Sequence, residues 1–150
     1  YHSPYHDLTD FKEKTMAKPV PEVEDVDRGF WQAANLRQLA VQNCTACNRL
    51  QMPPAASCAA CGKADTLEWK EVEGRGRING YCVQQDTRIA ALKGDQPFNT
   101  AVIELASNPE IKFFSHLPGV PAGKVPVGAE VKVTFEEVEP GQLIPEWILA

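Results

Sequence analysis

The residues best placed to do chemistry are four cysteines in two pairs, spaced Cys44-x2-Cys47-x10-Cys58-x2-Cys61. Each Cys-x-x-Cys turn points both sulfurs to one side, and two such turns facing each other supply four thiolates in a tetrahedron. Zinc accepts that set without a ligand-field preference. Asn48 and Gly62 follow the second cysteine of each pair. Both residue types tolerate φ > 0, the conformation that turns backbone N–H groups toward the sulfurs. Pro53-Pro54 stiffens the spacer between the pairs. The pattern therefore reads as metal ligation rather than as a redox dithiol or two unrelated pairs. Four protein ligands make the zinc structural, because a catalytic zinc keeps one position open for water. A module of about 28 residues buries little core, so the metal must supply much of its folding energy.

The remaining reactive residues form no comparable set. Cys82 lies on the alternation Ile78-Gly80-Cys82 and is expected to be a buried, inert thiol. His2 and His6 fall in a polar stretch and are expected to be solvated. Lys112, Phe114 and His116 alternate along one strand face. That face reads as exposed, with a groove for an anionic, ring-bearing ligand as the alternative. Gly74-Arg75-Gly76-Arg77 lacks the strand–loop–helix setting and the Lys-Ser/Thr ending of a phosphate loop, and reads as a turn or bulge entering a strand. No Ser-His-Asp set, metal-binding carboxylate dyad or dinucleotide fingerprint is present, so no catalytic residues are expected.

Charge narrows the partners. The chain carries a net charge of −5, and acids concentrate at both ends. Between Leu36 and Lys63 there is no acid, against Arg37, Arg49 and Lys63. An acidic chain without a basic stripe is poorly suited to a phosphate backbone, which makes nucleic acid an unlikely partner. The apolar fraction of 43 % is enough for a core, and no stretch approaches the roughly 18–20 apolar residues of a membrane span. The N-terminus resembles no secretory signal, and a cytoplasmic location is expected.

These residues must be positioned by a mainly β chain. Residues 1–24 read as an extended N-terminal arm, residues 25–66 as a helix and zinc ribbon, and residues 67–150 as an OB-fold domain. Asp25 or Asp27 can cap a helix near 27–37 that carries Phe30, Trp31 and Ala34. Leu39–Gln42 reads as a strand entering the first cysteine pair, and Leu67–Glu73 as another. Further strands are expected over Arg77–Gln85, Phe98–Leu105, Ile111–Leu117, Ala129–Val138 and Leu143–Leu149. In the fourth of these, Val131, Val133 and Phe135 point inward and Lys132, Thr134 and Glu136 outward. Five strands with a Pro/Gly-rich break at 118–128 describe a small closed barrel of the OB type.

The order of features resembles a known family. The run is Lys18-Pro19-Val20-Pro21, Phe30-Trp31, Leu39-Ala40-Val41-Gln42-Asn43-Cys44-Thr45-Ala46-Cys47, Gln51-Met52-Pro53-Pro54, Cys58-Ala59-Ala60-Cys61-Gly62, Leu67-Glu68-Trp69 and Gly74-Arg75-Gly76. It is similar to the acyl-CoA-associated family of rubredoxin-like zinc ribbon plus OB-fold, formerly a domain of unknown function. Asn48 departs from a frequent Gly. The resemblance covers residues 18–150 and implies a non-catalytic small subunit of a thiolase-type acyl-CoA complex in aromatic or fatty acyl-CoA degradation. It implies a hetero-oligomer around a dimer of the thiolase-like large subunit, with CoA or acyl-CoA shared between the subunits. A partner of a thiolase-fold aldolase acting on steroid side-chain CoA esters is the alternative. A stand-alone single-stranded nucleic-acid binder is the competing class. In this picture Phe30 and Trp31 anchor the interface, and Arg88, Lys93 and Lys112 meet CoA phosphates.

Overall fold

The computed structural model describes residues 18–150. His2, His6 and most of the expected arm lie outside the described residues. Among the described residues one α-helix, α1, spans Arg28–Asn35, and a short 3-10 helix spans Ala90–Asp95. Eight strands follow: β1 Leu39–Cys44, β2 Leu50–Gln51, β3 Leu67–Val72, β4 Arg75–Gln84, β5 Phe98–Leu105, β6 Asn108–Ser115, β7 Glu130–Glu139 and β8 Gln142–Leu149. None of the helices among these residues is long and apolar enough to cross a membrane.

Phe30 and Ala34 are the buried residues of α1, one turn apart on the face it packs inward. Asp27 occupies the position before the helix, but its carboxylate accepts a bond from the Glu24 N–H at 2.8 Å instead of capping α1. The helix ends where Arg37 takes φ 58° and Gln38 N–H bonds back to Ala33 O at 2.9 Å. This left-handed stop satisfies a terminal carbonyl and turns the chain into β1.

β1 is buried along its whole length because it is the middle strand of a three-stranded sheet ordered β2-β1-β3. β3 pairs with β1 from Leu39↔Val72 to Cys44↔Leu67. By hydrogen bonding, the ribbon sheet therefore reaches past residue 66. The second sheet runs β6-β5-β4-β7-β8, all antiparallel neighbours. It curls into an OB-like half-barrel. Its end strands, β6 and β8, are not paired with each other, so the expected closure by hydrogen bonds is absent. β4 bonds to β7 only over Arg75–Arg77, and the linker before β7 continues the contact through Ile78 N–H to Ala129 O and Gly128 N–H to Ile78 O.

The expected inward face of β5 is correct: Ala101, Ile103 and Leu105 are fully buried. Val131 is buried and Val133 packs on the same cluster. Phe113 and Trp147 meet at 5.7 Å between ring centres. Phe30, Leu39 and Val41 join these barrel residues in one apolar cluster, so helix, ribbon and half-barrel share a core. The fully buried Asn99 staples the Pro/Gly-rich linker: its Nδ2 donates to Val120 O at 2.9 Å and its Oδ1 accepts from Leu117 N–H at 2.8 Å.

Two side-chain expectations fail for one reason, the breakdown of strict alternation. A bulge between Ile78 and Gly80 shifts the register. Ile78 still faces Ile103, but Cys82 is carried to the side of Thr100 and is exposed, not buried. β6 ends at Ser115, so His116 does not continue the exposed face of Lys112 and Phe114. It turns into a cavity, half-buried beside Phe98.

Candidate metal centre

The two cysteine turns approach each other across the end of the ribbon sheet. Cys44 closes β1, and Cys47 follows one turn later. Asn48 takes φ 57° and Gly62 φ 78°, as their positions predict. Asn48 N–H then bonds to Cys44 O at 2.7 Å, and Gly62 N–H to Cys58 O at 2.8 Å. Cys44 N–H bonds to Arg49 O at 3.0 Å, and Cys58 N–H to Lys63 O at 2.9 Å. The two knuckles thus repeat one hydrogen-bond pattern.

The sulfurs converge. Cys44 Sγ lies 3.6 Å from Cys61 Sγ, and Cys47 Sγ 3.6 Å from Cys58 Sγ. All four lie within 4.8 Å of one another. A tetrahedron with metal–sulfur bonds of about 2.3 Å places its sulfurs about 3.8 Å apart, so the cage fits one thiolate-bound ion. Cys44 and Cys58 are buried, and Cys47 and Cys61 are exposed.

The surroundings treat the thiols unequally: burial and then the neighbouring Cys58 thiol push Cys47 up to about 12, whereas Cys44 and Cys58 are favoured as thiolates. The Thr66 hydroxyl, 3.1 Å from Cys44 Sγ, and the Cys47 backbone N–H bring the Cys44 thiol down to about 6. Backbone N–H groups of Cys61 and Ala60 lower Cys58. Such donors outside the ligand set hold the ligands in orientation. Thr66 was not singled out in the sequence, since a threonine five residues past a cysteine carries no local signal.

Two glutamines brace the spacer, also without a sequence signal. Gln42 Nε2 donates to Ala55 O at 3.1 Å, and Gln42 Oε1 accepts from Ala55 N–H at 2.9 Å. Gln51 Nε2 donates to Gln42 Oε1 at 2.8 Å, and its Oε1 accepts from Ala59 N–H at 2.9 Å. These bonds replace secondary structure in a segment that has none.

The other proposed site residues scatter. Phe30 is 8 % exposed and belongs to the core, so it offers little surface of its own. Trp31 is half-buried, edge-on to Phe30 at 4.9 Å. Arg88 and Lys93 are exposed in the connection from β4 to β5. Lys112 lies on β6, its ammonium bonded to Pro109 O at 2.8 Å and 3.7 Å from Glu104.

Residues 31–68 match the model of the ChsH2 rubredoxin-like zinc ribbon domain, and residues 69–136 that of the ChsH2 C-terminal OB-fold domain. The chain belongs to the ChsH2 family. This ChsH2-family chain is 31 % identical over 140 residues to the probable enoyl-CoA hydratase alpha subunit of Thermomonospora curvata. The match takes in 91 % of the chain but 41 % of that relative. A chain of the Ltp2-ChsH2(DUF35) aldolase superposes with a TM-score of 0.74 at 26 % identity, covering 86 % of this chain and 98 % of that one. A DUF35-family protein of unknown function from Sulfolobus solfataricus shares the fold, with a TM-score of 0.56 at 18 % identity over 85 % and 87 % of the two chains.

Proposed function

We propose that this chain is a non-catalytic, zinc-binding subunit that docks on the catalytic subunit of an acyl-CoA aldolase and helps form its acyl-CoA site. The observation that carries this reading is the likeness to a chain of the Ltp2-ChsH2(DUF35) aldolase over nearly the whole of that chain. It favours the aldolase alternative over a degradative thiolase. The 31 % identity to the hydratase alpha subunit, of which this chain spans 41 %, supports a second reading, in which the same module serves a hydratase.

Cys44, Cys47, Cys58 and Cys61 hold the zinc in this proposal. When bound, the ion supplies folding energy and a rigid ribbon, since all four positions are filled by protein. The ribbon and α1, with Trp31 at their junction, form the docking face. Phe30 supports it from the core. Arg88 and Lys93, which form no ion pair among the described residues, are the stronger candidates for CoA phosphates, and Lys112 is already engaged.

Co-expression of this chain with an Ltp2-type catalytic subunit tests the proposal. The two are expected to co-elute, and carbon–carbon cleavage of a 3-hydroxyacyl-CoA is expected to require both. A catalytic subunit that is fully active alone, and elutes alone, overturns it.

A further inference from the structure

The open end of the half-barrel contains a cavity of about 490 Å³ that involves none of the cysteine cage. Lys18, where the described chain begins, reaches into it. Its ammonium is bonded to Glu136 of β7 and lies 2.8 Å and 2.7 Å from the two oxygens of Glu146 on β8. The side chains of Lys18 and Glu146 are 10 % and 4 % exposed. Asp95 and His116 face the same cavity. His116 Nδ1 lies 3.1 Å from Asn99 O, and burial favours its neutral form.

The charge pattern is specific. Two carboxyls converge on one ammonium. Sequence alternation gave no warning, because Glu136 was expected to point to solvent. A lysine loses considerable side-chain entropy on burial. A buried carboxylate that loses its partner is costly.

We propose that Glu136 and Glu146 form a built receptor for a primary ammonium, and that Lys18 fills it as the anchor fixing the segment 18–27 to the sheet. The far end of that segment is already fixed. α1 follows it directly and is tied to β8 by Asn35 Oδ1, which accepts from Leu143 N–H at 2.8 Å. Pro19 and Pro21 restrict the chain between the two attachments. The segment is thereby part of the folded body and not a tail that begins at α1. This inference concerns the chain alone and stands apart from the identity of any catalytic subunit.

Hydrogen exchange on the full chain tests it. Lys18→Met keeps the length of the side chain and removes its charge. Amides of residues 22–27 are expected to exchange about tenfold faster or more, with β1 unchanged. Unchanged exchange at 22–27 overturns the anchor. A second measurement addresses the receptor directly. In Lys18→Ala, n-propylammonium replaces the missing end of the side chain. It is expected to shift the Glu146 carboxyl carbon resonance, while tetramethylammonium at equal ionic strength leaves it in place. Equal responses to the two ions, or none, overturn the receptor even if Lys18→Met unfolds the segment.

Discussion

Glu146→Gln offers the sharpest test of the electrostatics at the half-barrel mouth. Burial, and then the bond to Glu136, push the Glu146 carboxyl up from 4.5 to about 7. The folded chain therefore retains a proton between those values that the unfolded chain has already released. Stability from this group is fully present below the unfolded value and is lost as pH rises through about 7. At about 1.4 kcal/mol per pH unit, the loss amounts to about 3 kcal/mol. Glutamine keeps the shape but cannot ionise. Its stability relative to the parent chain is expected to rise by about 2–3 kcal/mol between pH 4.5 and pH 8. Glu136 is held low, first by its bond to Glu146 and then by the Lys18 ammonium, so its own loss lies below 4.5 and outside this window. His116, which burial holds below its ordinary value, is common to both proteins. Urea unfolding of the two proteins at several pH values measures the effect. Parallel stability curves would refute the reasoning, because they would mean that Glu146 is ionised in the fold at neutral pH like any surface carboxylate.

Two further predictions concern the ribbon. Cys58→Ser is expected to lower bound zinc well below one per chain and to melt the ribbon first. Structural zinc contributes about 10–16 kcal/mol in small zinc-finger peptides, more than a module of this size can replace. Elemental analysis with circular dichroism measures both, and full zinc retention with unchanged melting would sink the assignment. Gly29→Ala places a Cβ 2.1 Å from Trp69 Nε1, inside the indole ring that lies against α1. Helix propensity favours alanine by about 1 kcal/mol, but overpacking costs about 1–3 kcal/mol. A net loss near 1 kcal/mol with a changed tryptophan emission spectrum is expected, and a stabilised variant would show that Trp69 repacks freely.

The cysteine cage and most strands were legible in the sequence because their rules are local. Asn48 and Gly62 adopt the positive φ their positions required, and Ala101, Ile103 and Leu105 face inward as a period of two demands. The errors arose where local periodicity stops governing. The register shift at Ile78–Gly80 reverses the side on which Cys82 falls. β6 stops one residue short of His116. Phe30 resembles an exposed anchor in sequence but is covered by the shared core.

The sequence by itself determined the four-cysteine cage and most of the alternation of the strands. Tight turns, glycine-like conformations and side-chain direction depend on neighbours a few residues apart. The tertiary structure decided that Lys18 meets Glu136 and Glu146, 118 and 128 residues away, and that Thr66 caps the Cys44 sulfur. It also decided that the second sheet curls without joining its edges. These outcomes depend on strand register and on which faces share a core, and long-range packing sets both.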